Sequence, residues 1–358
     1  MLKKLLKMKT KNYSNKGLAK DFDFDHFIFG KTPTDHMLVM EYSEGKWGAA
    51  EIAPFGPLNL SPFTLGLHYG QLVFEGIKAF RSVSGQVSIF RPRTHLERMN
   101  HSLERMCMPT IDVEVVLAGL KELVATDQKW VPLREKNDIA LYIRPLVVAT
   151  EARLGVKISS EYKLLIMCTP IRKYYTKPLK VKLERQFVRA AQGGVGFVKC
   201  AGNYGGAFYP TFLAQQQGFD QVIWTDASTH TYLEESGTMN IAIYFDGKLI
   251  TPIGGDSVLK GVTLDSVLQL AVDHNVEVEQ RPIAYTELLE YLKGRRRVEI
   301  FGVGTVAVVA PISHIEIEGI EYTSYVGGDG FMYQLESWLS DIRLGRTNDD
   351  HNWNYYVD

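Results

Sequence analysis

The chain has 358 residues, 45% hydrophobic and 23% charged, with a formal net charge of −1. That is enough apolar material for about two domains, it argues against global disorder, and the even charge balance argues against a nucleic-acid partner. No apolar run approaches the roughly 20 residues of a membrane-crossing helix. The three cysteines, Cys107, Cys168 and Cys200, form no CxxC pair, which points away from a disulfide framework or a metal site and toward a reducing, cytoplasmic compartment.

The start, MLKKLLKMKTKNYSNK, is lysine-rich. It lacks the apolar stretch of a secretory signal and the arginines of a transit peptide, and reads as a solvated tail or a first helix. Residues 36–56 show β-branched and apolar residues between Gly/Pro turns and predict strands. Residues 72–92 predict two strands joined by the polar turn Ser84–Gly85–Gln86. The spacing then becomes helical. Leu96, Met99, Leu103 and Met106 fall on one face, and Thr94 with Glu97 gives a capping-box signature. Residues 112–131 predict a second helix, and 138–150 and 162–170 buried strands. The segment IRKYYTKPLKVKLER, residues 171–185, is basic and broken by Pro178. It places a linker at 171–181 between a smaller N-terminal domain, 1–170, and a larger C-terminal one, 182–358. Beyond it come a helix after a glycine turn (204–220), strands at 221–226 and 239–245, a helix at 263–275 and a mostly extended stretch at 298–317. This is an α+β pattern in two halves, without the βαβ alternation or the GxGxxG turn of a dinucleotide-binding protein.

The stretch GFVKCAGNYGG, residues 196–206, sets Lys199 among small and apolar residues. One reading is a lysine that snorkels at a strand edge. The other is a Schiff-base lysine, made nucleophilic by desolvation. That chemistry needs a hydroxyl for a phenolic oxygen, a carboxylate for a pyridinium nitrogen and a phosphate cradle. Tyr204 can supply the hydroxyl. Glu234 or Glu235, ahead of Gly237 and Thr238, can supply the carboxylate. Gly261 precedes a helix whose amides at Val262 and Thr263 suit a phosphate, and a second glycine-rich turn carries Thr305.

The motifs HYGQLVFEGIKAF (68–80), FRP (90–92), LYIRP (141–145), GNYGG (202–206), EESGTMN (234–240) and GVT (261–263) occur in order over roughly residues 22–350. Together they resemble the branched-chain amino-acid aminotransferase family, pyridoxal-phosphate enzymes of fold type IV. FIFGKTPTDHM (27–37) resembles the longer, eukaryote-like branch. The resemblance implies a two-domain fold like that of D-amino-acid aminotransferase, with the cofactor at the domain interface. It implies that Lys199 holds pyridoxal phosphate and carries the substrate's proton. Glu235 would pair with the pyridinium nitrogen, with Glu234 the spare, and Tyr204 would bond the phenolic oxygen. Arg91, the amides of Val262 and Thr263, and Thr305 would hold the cofactor's phosphate, with Arg189 a second phosphate candidate, and Thr238 would be a further cofactor-binding residue.

Phe29, Phe74, Tyr69 and Tyr142 would line an apolar pocket, completed in part by a second subunit of a homodimer. Arg144 and Lys78 would meet a second carboxylate. The activity implied is transfer of the amino group of leucine, isoleucine or valine to 2-oxoglutarate, giving the branched 2-oxo acid and glutamate by a ping-pong route, without metal, membrane or nucleic acid. A D-amino-acid transaminase or an aminodeoxychorismate lyase fits the cofactor residues equally, but fits HYGQLVFEGIKAF and LYIRP less well. A catalytically idle relative predicts no cofactor absorbance. In one departure, Ala307 and Ala310 stand where some mammalian relatives carry a CxxC, so thiol regulation there is not expected.

Overall fold

In the computed structural model, which describes residues 22–132, 139–294 and 296–357, the strand and helix patterns sort into two units. The lysine-rich start lies outside the described residues. The first unit is Met1–Arg172 with Lys199–Gly202 and Ile342–Asp358, and the second is Lys173–Val198 with Asn203–Asp341. The chain passes from the first unit to the second between Arg172 and Lys173. A strand already begins within the expected linker at Leu179, however, and residues 199–202 and 342–358 group with the first unit, not with the half a division at 182 assigns them. Strand pairing captures both returning segments, a tertiary effect that no local composition announces.

The first unit is an antiparallel sheet backed by helices. Its elements are β1 (His36–Ser43), β2 (Lys46–Trp47), β3 (Glu51–Pro54), α1 (Leu65–Tyr69), β4 (Leu72–Phe74), β5 (Ile77–Arg81), β6 (Val87–Phe90), α2 (Pro92–Arg105), α3 (Val113–Thr126), β7 (Ala140–Ala149) and β8 (Tyr162–Ile171). The main path runs β6-β5-β7-β8-β1-β2, with β3 on β1 and β4 on β7. The expected single strand over 72–81 is two, because the chain breaks at Glu75–Gly76. Leu96, Met99 and Leu103 are buried as their spacing predicts. The capping box does not form. The helix starts earlier, with Pro92 inside its first turn and Arg91 as N-cap in left-handed backbone, φ 48°. Thr94 therefore sits within the first turn. α3 is capped by Asp112, whose side chain accepts from the amides of Glu114 and Val115.

One buried charge fastens this unit. Glu75, fully buried, accepts from Nε of Arg98 at 2.7 Å and Nη2 at 2.8 Å, and lies 2.9 Å from Nδ1 of His95. Burial alone would raise its pKa. The Arg98 and His95 contacts reverse that and hold the carboxyl well below the usual carboxylate range. The end of β4 is thereby tied to α2.

The second unit is built around β9 (Leu179–Glu184), α4 (Gly202–Gln216), β10 (Gln221–Thr225), β11 (Leu233–Ser236), β12 (Met239–Phe245), β13 (Lys248–Thr251), α5 (Val262–Asp273), β14 (Glu277–Gln280), α6 (Tyr285–Lys293), β15 (Val298–Gly304), β16 (Val308–Ile317), β17 (Ile320–Thr323) and α7 (Phe331–Arg343). The sheet order is β11-β10-β9-β16-β15-β12-β13-β14, and pairing of β11 with β12 closes six strands into a ring. Val181, Ile223, Ile241, Ile300, Ile312 and Ile315 belong to its apolar core. β18 (Asn354–Tyr356) returns to the first unit and pairs with β6. No helix among the described residues is long and apolar enough to cross a membrane.

Removing one partner of a buried ion pair strands the other. Arg98→Ala is expected to lower unfolding free energy by about 3–5 kcal/mol. Arg98→Met with Glu75→Gln, which leaves no net charge behind, should cost clearly less. Chemical denaturation of both variants checks this, and equal losses would refute the stranded-charge account.

Candidate active site

In the first unit the chain around Lys199 lies alongside β4. The Lys199 carbonyl accepts from the Phe74 amide at 3.0 Å, the Ala201 amide donates to Leu72 O at 3.1 Å, and Val73 bridges Cys200. From the other side, Ser102 Oγ of α2 accepts from the Lys199 amide at 3.0 Å. The backbone of this lysine is thus fixed by two elements, and its side chain is half-buried. Nζ stands 5.0 Å from the Phe74 ring centroid, in the range of a cation–π contact.

Phe74 carries a second cation, the Arg144 guanidinium, at 4.6 Å. Arg144 Nη2 donates to Tyr142 Oη at 2.6 Å, and Phe29 meets Tyr142 edge-on with centroids 5.2 Å apart. Gly76 makes this wall possible, because a Cβ there would collide with the Tyr142 hydroxyl. Lys78 is directly opposite Tyr142 in the β5–β7 pairing, so both share a sheet face. Phe29, Phe74, Tyr142, Arg144 and Lys199 therefore form one cluster. Tyr69 makes different contacts: it is partly exposed, its hydroxyl donates to Leu154 O, and its ring meets His68. Arg91 lies at the start of α2, where its amide donates to Trp353 O at 2.7 Å and its guanidinium stands 5.2 Å from the Trp353 ring. A left-handed backbone at a non-glycine residue is uncommon and carries strain.

His95 is a further buried neighbour. Burial pushes its pKa below the ordinary imidazole value; Glu75 opposes this, while the charges of Arg98 and Lys199 act with burial.

In the second unit, Glu235 on β11 is buried. Its Oε1 accepts from the Leu259 amide at 2.8 Å, and its Oε2 stands 3.3 Å from Nε of Arg189. Asn240, paired with Glu235 across the β11–β12 hairpin, donates from Nδ2 to Leu259 O at 2.8 Å. Leu259 is thus held by both its backbone N–H and its C=O. Two residues on, Gly261 is the N-cap of α5, and no side chain caps that helix. A Cβ on Gly261 would strike the Asn240 side-chain oxygen, so any larger residue here must displace Asn240. Val262 and Thr263 are the first two residues of α5, both buried, and Thr305 lies in the β15–β16 turn.

Gly237 and Thr238 form the β11–β12 turn, where φ of +58° at Gly237 suits glycine. Thr238 is exposed. The expected turn at Gly202–Asn203 is instead the first turn of α4; Asn203 donates to Val195 O and Val198 O, and Tyr204, half-buried, is the third helical residue.

Arg189 departs from its expected place at a phosphate. Its guanidinium is spent on protein groups: the Glu235 carboxylate, Gly196 O at 3.1 Å and Ser257 O. Sequence reasoning also missed Glu75, His95 and Arg98. A signal existed in a glutamate set inside the apolar run LVFEGI, and in His95 and Arg98 three apart on one helix face. Asn240 was missed too, although it closes the EESGTMN motif.

The profile of the amino-transferase class IV family matches residues 72–315. Branched-chain-amino-acid transaminase 1 of Bacillus subtilis is 41% identical over 338 residues, 92% of this chain and 94% of that protein. A probable branched-chain-amino-acid aminotransferase of Staphylococcus aureus is 41% identical, over 92% of this chain and 93% of its own length. Among solved structures, the branched-chain amino acid aminotransferase of Escherichia coli superposes with a TM-score of 0.76 at 22% identity, covering 91% of this chain and all of that one. The holo-form enzyme of Thermobaculum terrenum, solved with pyridoxal phosphate, gives 0.74 at 21% identity, covering 91% of this chain and 99% of that one. The convergent wall around Lys199, the Glu235 clamp and these likenesses agree, and the chain belongs to the class IV aminotransferases, in their branched-chain-amino-acid aminotransferase family.

Proposed function

We propose that this chain transfers the amino group of leucine, isoleucine or valine to 2-oxoglutarate, with pyridoxal phosphate as the cofactor. The observation that carries this reading is Lys199 Nζ over Phe74, in one cluster with Phe29, Tyr142 and Arg144. Three features of the described residues suit the cofactor. A lysine that bonds a carbonyl group should be partly out of water, as Lys199 is. A ring nitrogen that must stay protonated needs a buried carboxylate, as Glu235 is. A phosphate needs helix amides that no side chain caps, and α5 starts so, at a glycine whose Cβ would not fit.

The bound cofactor supplies the electron sink and the temporary site for the amino group. The chain's own residues do the rest. Lys199 holds the cofactor, and its amine, once released, moves the proton at the substrate's Cα. Glu235 faces the ring nitrogen and Tyr204 the phenolic oxygen. Arg91, Val262, Thr263 and Thr305 hold the phosphate, and Thr238 lies among the cofactor-binding residues. Phe29, Phe74 and Tyr142 exclude water and take a branched aliphatic chain, with Tyr69 as an outer wall. Arg144, already hydrogen-bonded to Tyr142, offers the cation a glutamate or 2-oxoglutarate side chain needs, with Lys78 behind it. The setting is cytoplasmic.

We also propose a homodimer. Phe63, Leu67, Tyr69, Leu154, Val156 and Ile158 are exposed apolar side chains. Their two segments are tied by Arg153 N to Phe63 O at 2.8 Å and by Tyr69 to Leu154 O, so they form one apolar surface of the kind that marks an interface.

Purified protein is expected to show the visible band of bound cofactor. Leucine should bleach it and 2-oxoglutarate restore it, and Lys199→Ala should lack it. A band indifferent to leucine would refute the substrate claim, and no band even with added pyridoxal phosphate would refute the cofactor claim. Arg144→Met should raise KM for 2-oxoglutarate roughly 10–100-fold, the scale of one lost charge-assisted hydrogen bond, and move that for leucine far less. Steady-state kinetics with each substrate varied decides it. Light scattering should give twice the chain mass, and Leu67→Glu with Val156→Asp should give one chain mass; a monomeric wild type would rule the dimer out.

A further inference from the structure

Arg189 binds three partners within the second unit. Nη2 donates to Gly196 O and to Ser257 O, and Nε stands 3.3 Å from Glu235 Oε2. Only 8% of its side chain and 5% of that of Glu235 are exposed. Such a guanidinium is not reaching outward for a ligand. It braces the chain before Lys199 against the Ser257–Leu259 segment and rests on the carboxylate that faces the ring nitrogen in the proposed function.

The neighbour Glu234 shows why a cation is needed. Glu234 is also buried, and its Oε2 has no hydrogen-bond partner among the described residues. Burial pushes its pKa up, and the charges of Glu235 and Asp226 push the same way; Ser257 and Arg189 act against them. Two neighbouring buried carboxylates raise the cost of ionising each other, so a proton held by one eases the ionisation of the other. The guanidinium is in contact with Glu235, while only its longer-range charge acts on Glu234, which favours Glu235 as the ionised one.

We propose that Arg189 is a positioning residue that makes Glu235, rather than Glu234, the ionised and oriented carboxylate of the pair. The inference rests on the cofactor reading above. It replaces a phosphate-binding role for Arg189 with one exerted through Glu235. Without Arg189, the proton of the Glu234–Glu235 pair can settle on Glu235. A neutral Glu235 no longer favours a protonated ring nitrogen.

The test is the dissociation constant of pyridoxal phosphate, read by absorbance titration of the apoprotein at pH 7.5, with circular dichroism and thermal melting as folding checks. Arg189→Gln should weaken binding roughly 10–100-fold, the scale of a lost charge-assisted contact. Adding Glu234→Gln to Arg189→Gln should recover much of that loss, because the competing carboxylate is gone. A purely structural brace would show no such recovery. Should Arg189→Gln fail to fold, Arg189→Lys carries the test: it keeps the charge beside Glu235 and loses the Nη2 that donates to two carbonyls. It should bind near wild type, and a loss as large as that of Glu235→Gln overturns the proposal. So does Arg189→Gln binding within two-fold of wild type, or no recovery in the double variant. A wild type that binds no pyridoxal phosphate overturns the cofactor reading and this inference with it, which separates the two failures.

Discussion

Each unit of this protein buries a carboxylate, and much of the local geometry follows from the need to satisfy it. Taking a lone carboxylate out of water costs several kcal/mol after relaxation. Glu75 meets that cost with the Arg98 fork and the His95 ring, and Glu235 meets it with Arg189 and the Leu259 amide. Both solutions tie together segments distant in sequence. Glu75 joins the end of β4 to α2, the two elements that hold the Lys199 backbone. Glu235 joins the β11–β12 hairpin to the segment that leads into α5. In each case the buried charge sets where the next chemical group stands.

The wall in the first unit answers a conflict in the proposed reaction. One substrate brings a branched aliphatic chain and the other a second carboxylate. A cation in open view would discourage the first, and an all-carbon wall would exclude the second. Arg144 lies over Phe74 with one donor on Tyr142. Its charge is partly spread over an aromatic face and partly bonded, so aliphatic atoms can pack beside it. The planar fork also keeps donors aligned for a carboxylate, which a lysine at this position could not.

What the sequence made legible was local. Leu96, Met99 and Leu103 lie on the buried face of α2 because a helix repeats every 3.6 residues, and Lys199 stands out because an ammonium is rare among glycines and apolar residues. What it hid was tertiary. The capping box at Thr94 lost because Arg91 is pinned by Trp353 from the far end of the chain, which starts the helix three residues earlier. The Glu75 cluster escaped notice because its partners meet only when β4 packs on α2. Arg189 looked like an anion ligand because an arginine's partner cannot be read from its neighbours in sequence, and its partner turned out to be the protein's own carboxylate. Tertiary pairing also shapes the units: residues 199–202 group with the first unit and pair with β4.

The helix starts show where order was given to function rather than to stability. α3, to which no chemistry is assigned, has the cap its sequence promises in Asp112. α2 starts at Arg91 in strained left-handed backbone, and α5 starts at Gly261; neither has a side-chain cap. A missing cap alone argues little, since α6 lacks one too. At α5 it coincides with a glycine that cannot be replaced without displacing Asn240, and Asn240 bonds the carbonyl of the residue, Leu259, whose amide holds Glu235. The helix start and the carboxylate are therefore set through one residue, Leu259, at a separation neither can change alone. A rigid ligand with a cationic nitrogen at one end and a phosphate at the other gains from such a fixed span, because the protein has already given up the freedom that binding would otherwise remove.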